Sequence, residues 1–217
     1  MGDNIMARKK INRKRVAIIK IIIILIGLFF VAGIALYLVG RLIRKPEIVN
    51  VSKVENTIES YNYIINDNAS NYYKDEFEKL KDMLNSDTWD KLEEAKLIAK
   101  LYTIDLLSLN NKINKYEVTS SQYFYPSKKE MHTSKVIDTF YNLLEDNAYD
   151  DRKQKLPEVS NVEVVDTTED TYIIDENEYP CITVNLNITY KEDLGYQKTS
   201  KVNLILDNDK YYVVSFE

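Results

Sequence analysis

The chain has 217 residues, 45% of them hydrophobic, and a formal net charge of −5, which suits one domain with appendages. Residues 1–45 carry ten Lys/Arg against Asp3 alone, whereas residues 46–217 carry 19 Lys/Arg against 33 Asp/Glu, a formal −14 with Arg152 as the only arginine. So acidic a body excludes nucleic acid as a partner, and a lone Cys181 and a lone His132 exclude disulfides and thiolate metal clusters and leave little for Ser-His-Asp or zinc chemistry.

Residues 21–40, IIIILIGLFFVAGIALYLVG, are 20 residues without a charge, long enough to cross a bilayer as a helix. With its flanks the span covers 16–43, behind a basic tail at 1–15. Arg8, Lys9, Lys10, Arg13, Lys14, Arg15 and Lys20 precede the apolar run, and only Arg41, Arg44 and Lys45 follow it closely. The positive-inside rule then puts the N-terminus in the cytoplasm and the acidic body outside, as a single-pass protein of the cell membrane. A cleaved signal peptide is the alternative, with residues 33–35 as a cleavage site. The apolar run outlasts a signal peptide's core and continues past that site, which favours an uncleaved anchor.

After Pro46, apolar residues at 51, 54, 58, 61 and 65 recur at helical spacing. A second helix is predicted over 73–85, with Tyr73, Phe77, Leu80 and Leu84 on one side; together these make juxtamembrane helices at 46–85. The α+β domain, 86–217, opens on a helix over 87–110 with Asp87 as its cap. Leu92, Ala95, Ile98, Ala99, Leu101, Tyr102, Ile104 and Leu106 leave it few polar positions, so it should be the most buried helix. A buried Asp105 within it would need a partner. EVTSSQYFY (117–125) reads as a strand into Pro126. His132 falls at a loop-to-helix junction before a fourth helix over 134–147, with Val136, Phe140, Leu143 and Leu144 inward.

Beyond the charged loop at 150–155 the period changes to 2. Residues 159–165 and 171–174 are short strands. CITVNLNITY alternates without error, with Ile182, Val184, Leu186, Ile188 and Tyr190 on one face and Thr183, Asn185, Asn187 and Thr189 on the other. Cys181 in this strand reads as a buried, inert thiol. Gly195 supplies a hairpin loop, a strand with Val202, Leu204 and Leu206 follows, and Tyr212, Val214 and Phe216 share a face of the last one. The helix over 87–110 should pack on Val184, Leu186, Ile188, Val202 and Leu204, because these are the two richest apolar surfaces.

Helices followed by an antiparallel meander make an α+β fold, an N-terminal transmembrane helix and then several helices packed on a C-terminal sheet. This order resembles the cone-like NTF2 fold in its VirB8-type version, with a short basic tail, one span and an extracytoplasmic domain ending in antiparallel strands. The segment AKLIAKLYTIDLLSLNNKINKYEVTSSQYF is similar to one in uncharacterised single-pass proteins of low-GC Gram-positive bacteria, which tend to carry glycines where this chain has Ser120 and Ser121. What the resemblance implies is a scaffold or protein-interaction module of an envelope assembly, as in secretion or conjugation machines, with envelope proteins, the membrane and a second copy of the chain as partners. Thr183, Asn185, Asn187 and Thr189 are the candidate docking residues. A membrane-tethered small-ligand receptor is the alternative, and an enzyme using paired carboxylates a third reading. No catalytic residue, metal or cofactor is expected: no CxxC, HExxH or GxSxG motif occurs, and the body's single glycine cannot build a phosphate-cradling loop.

Overall fold

The computed structural model describes residues 52–217, together with 26–27 and 32–34, which are helical. The rest of the expected span at 16–43, and the cations from Arg8 to Arg15, lie outside the described residues. Among the described residues no helix is long and apolar enough to cross a membrane. Asn50–Glu217 forms one compact unit.

That unit begins with a β-hairpin where the helical spacing predicts a helix. β1 (Val54–Ile58) pairs antiparallel with β2 (Tyr63–Asn66) around a single 3-10 turn, and Asn62 at φ 54° reverses the chain. Ile58, Tyr61 and Ile65 are buried as the helical stripe requires, but Tyr63 is buried with them and Val54 is exposed. Tyr63 and Ile65 alternate inward at period 2, and the β-branched Val54, Thr57, Ile58, Ile64 and Ile65 suit extended backbone. Tyr61 and Ile65, four residues apart, fit both periods, and tertiary packing decides between them.

α1 (Asn71–Leu84) starts at Ser70, whose hydroxyl accepts the Tyr73 N–H at 3.1 Å, and buries Tyr73, Phe77 and Leu80. α2 (Lys91–Leu107) is capped by Asp90 rather than Asp87: its carboxylate accepts the N–H groups of Leu92 at 2.8 Å and Glu93 at 3.3 Å. As expected it is the most enclosed element. Ala95, Ile98, Ala99, Leu101, Tyr102 and Ile104 have no exposed surface, and the helix touches α1 and every strand of the large sheet.

The strand predicted over 117–125 is absent. Thr119–Tyr123 is a 3-10 turn with Ser120 and Ser121 buried in it, and only Phe124 bridges a strand, in parallel with Val213. Neither serine has positive φ, so the turn needs no glycine there. α3 (Lys129–Asp138) begins and ends earlier than predicted. Its end is set by Thr139 and Tyr141, whose N–H groups both turn back to the Val136 carbonyl, at 3.3 and 2.9 Å. Tyr141 then goes inward, its hydroxyl donating to the Leu106 carbonyl at 3.0 Å, while Phe140 and Leu143 are left exposed. The body's only arginine holds the next loop: Arg152 donates to the carbonyls of Lys112 at 2.8 Å and Asn110 at 2.7 Å.

β3 (Val159–Ile174), β4 (Asn177–Tyr190), β5 (Thr199–Asp207) and β6 (Lys210–Phe216) form an antiparallel meander in that order. The two short strands expected over 159–174 are one strand of 16 residues, broken in pattern by bulges at Val159/Asn161 and Val164/Asp166. Its polar middle stays extended because β4 pairs with it throughout. The tight turns use Asp175–Glu176 and Asn208–Asp209, all at φ 48–69°, and Gly195 at φ 79° serves the wider loop.

One large core joins α2 to Val184, Leu186, Ile188, Val202 and Leu204, the packing the alternation predicts. β6 departs from its expected face. A bulge against Asn203/Leu204 sets Leu204 opposite Val213 and Val202 opposite Phe216. Val213, Tyr211 and Phe216 therefore join the helix side. Tyr212 and Val214 pass to the other side and cover a small second cluster of Ile174, Cys181 and Ile205.

Candidate binding cleft

α3, the tip of the β3–β4 hairpin and the end of β6 surround a cleft of about 400 Å³. Its floor is aromatic and apolar: Tyr102 and Leu106 from α2, Phe124 just after the 3-10 turn, and Phe216. His132 and Val136 of α3 close one side, and residues 172–175 the other. Around the mouth stand Met131, Phe140 and Ile173, 65%, 42% and 70% exposed.

His132 packs from the side onto this floor. Its ring stacks on Phe124 with centroids 3.9 Å apart and planes 3° apart, and Nε2 lies 3.3 Å from the Tyr102 hydroxyl. Burial, helped by the nearby Lys135 charge, holds its pKa down to about 4, so the ring is neutral at pH 7. From about pH 6.5 down to 4 the unfolded chain protonates this ring and the folded one does not. Stability should therefore fall by about 2 kcal/mol across that window, allowing for partial solvent access. His132→Phe keeps the stack and should flatten that part of the stability curve in urea titrations; an unaltered slope would contradict the assignment. Glu76, which burial opposes but Lys100 and Lys79 hold ionised below the usual range, adds its own loss at lower pH.

The two lysines at the rim differ. Lys128 reaches across the mouth to Asp175, at 2.8 and 3.1 Å from its two oxygens. Lys135 is exposed and has no carboxylate partner among the described residues.

The four candidate docking residues do not form one surface. Thr183 is only 8% exposed and donates to Asn203 Oδ1 at 2.8 Å. Asn203, opposite it on β5, accepts that hydroxyl and donates on to Ser215 Oγ at 2.6 Å, so the outward position is taken up within the sheet. Asn185, held to Asp166 at 2.5 Å, and Asn187 border a shallow, open depression with Lys201 and Glu217; Asn187 and Thr189 are exposed.

Cys181 is buried at 4% exposure, and burial pushes its thiol pKa up, which makes it a poor nucleophile. The buried acids are each taken up by cations: Glu76 by Lys100 and Lys79, both at 2.7 Å, Glu94 by Lys91 at 3.4 Å, and Asp105 by Lys112 at 2.5 Å. Among the described residues no three His, Cys, Asp or Glu side chains gather as a metal site.

Sequence reading missed the cleft. Its only local signals were Met131 and Ile173, large apolar side chains placed in polar surroundings. Compared with protein-family models, curated proteins and solved structures, the chain matches none of them.

Proposed function

We propose that this chain is a single-pass, membrane-anchored protein-interaction module of a cell-envelope assembly, of the NTF2-like, VirB8-type layout. Its N-terminus lies in the cytoplasm and its α+β domain outside, and it recognises its partner at the cleft. The observation that carries this reading is the exposed apolar rim of Met131, Phe140 and Ile173 over an aromatic floor. Contiguous apolar surface of this kind on a soluble domain marks a place that another molecule covers. The polar face of β4 offers less, since Asn185 and Thr183 already spend their side chains on Asp166 and Asn203. Enzymatic use of paired carboxylates is disfavoured by the lysines that neutralise the buried acids. A photo-crosslinking residue placed at Met131 should capture an envelope protein in intact cells, and one at Asn187 should not. Capture from Asn187 alone would return the docking surface to the polar strand face.

A further inference from the structure

We infer that the cleft takes an extended apolar peptide segment bearing one carboxylate, which lies along the open edge of β6 and sets its acid against Lys135. The step rests on the module reading and names the chemistry of the partner.

The edge comes from the sheet order, in which β6 is an outer strand. Its neighbour covers it only briefly: Phe124 pairs with Val213, Tyr125 N–H donates to the Val213 carbonyl at 2.9 Å, and Pro126 then turns the chain away. Lys201 and Glu217 exchange both their backbone bonds, at 2.9 and 3.0 Å. In an antiparallel pair the next residues must then point their groups outward. Phe216, opposite Val202, therefore aims its N–H and C=O at the free edge, where no described residue bonds them. Unpaired edge groups template an added strand. Val214, Ser215 and Phe216 line the cleft, so a strand added there would lie inside it.

Side-chain chemistry agrees with the backbone. A strand presents alternate side chains to opposite sides, and here Met131 and Ile173 offer apolar contact from the facing walls. Charge supplies the acid. Lys128 is already bound to Asp175, which leaves Lys135 as the cation available at the rim. An acidic segment is repelled by most of a body carrying a formal −14, and this mouth is where attraction is local.

The test uses the full chain in lipid nanodiscs with its methionines labelled as 13C-methyl; there are four, and Met83, far from β6 in sequence and on α1, reports on the fold. The probe is acetyl-Ser-Ile-Val-Ile-Leu with a free C-terminal carboxylate, followed at the Met131 methyl. A saturable shift at Met131 with Met83 unmoved is expected. The C-terminal amide, and the acid peptide on Lys135→Glu, should bind about tenfold more weakly. A peptide N-methylated at its central amides should lose the shift, because it cannot complete the strand. Equal affinity of acid and amide would overturn the role of Lys135, and an undiminished N-methyl peptide would overturn the added strand. Saturation by decanoate with the peptide inert would assign the cleft to a small amphiphile instead. If every probe leaves Met131 unmoved while Met131 still crosslinks a protein in cells, this inference fails and the module reading stands; loss of that crosslink removes the module reading itself.

Discussion

Lys112→Met is expected to destabilise the domain by about 3–5 kcal/mol, because it leaves the Asp105 carboxylate buried without its cation. The two side chains are 4% and 6% exposed and meet at 2.5 Å, and the Thr119 hydroxyl donates to the same carboxylate at 2.7 Å. Asp105 sits near the end of α2 and Lys112 and Thr119 on the turns that follow, so the pair fastens the helix to the segment that leads to the cleft. For a domain whose total stability is about 5–15 kcal/mol, that loss unfolds a substantial fraction of molecules at moderate temperature. The double variant Lys112→Met/Asp105→Leu removes both charges and should recover most of the deficit, since well-packed apolar replacements of buried ion pairs are tolerated. Urea denaturation of the three proteins decides it. A single variant that loses less than about 1 kcal/mol would mean that solvent reaches the pair.

Leu186→Ala should cost about 2–5 kcal/mol, while Asn187→Lys one position away should stay within about 0.5 kcal/mol of the parent. Leu186 is 1% exposed, paired with Val164 on β3 and Ser200 on β5, and belongs to the core shared with α2. Truncation leaves a cavity that three paired strands cannot close by collapsing. Asn187 is exposed opposite Glu163 and Thr199, with room for a longer side chain in water. Melting temperatures of the two variants test the facing of β4 directly. A tolerated Leu186→Ala beside an unfolded Asn187→Lys would mean that the strand presents its polar side to the core.

The same pair of residues shows why much of the sheet was legible. β4 is covered by helices on one side and mostly open on the other, so burial imposes a strict period of 2 on its sequence. α2 was legible for the opposite reason: enclosure from nearly every side leaves little room for polar residues. The hairpin at 54–66 was not, because Tyr61 and Ile65, four residues apart, satisfy a helical and an extended spacing at once, and only the turn at Asn62 separates the two readings. Nor could the face of β6 be read, since a single bulge reverses which of its residues look inward. Short-range pattern carries no trace of such a bulge.

The cleft was the least legible feature. Tyr102, Phe124, Met131, Ile173 and Phe216 come from five separate segments, and each has an ordinary local explanation as core or surface. His132 illustrates the point: a lone histidine in a polar stretch became an uncharged plate stacked on Phe124. Thr183 departs in the other direction, outward by alternation yet buried in a hydrogen-bonded row with Asn203 and Ser215 across β5 and β6.

The central claim is that the partner binds at this cleft, and site-specific photo-crosslinking in intact cells tests it most directly. One chain carries the crosslinking residue at Met131, a second at Ile173 on the facing hairpin, and a third at Asn187, each made at equal levels. The account predicts that Met131 and Ile173 yield the same captured envelope protein, that Lys135→Glu in the same chain reduces both products, and that Asn187 yields none. A product from Asn187 with Met131 and Ile173 silent would contradict it.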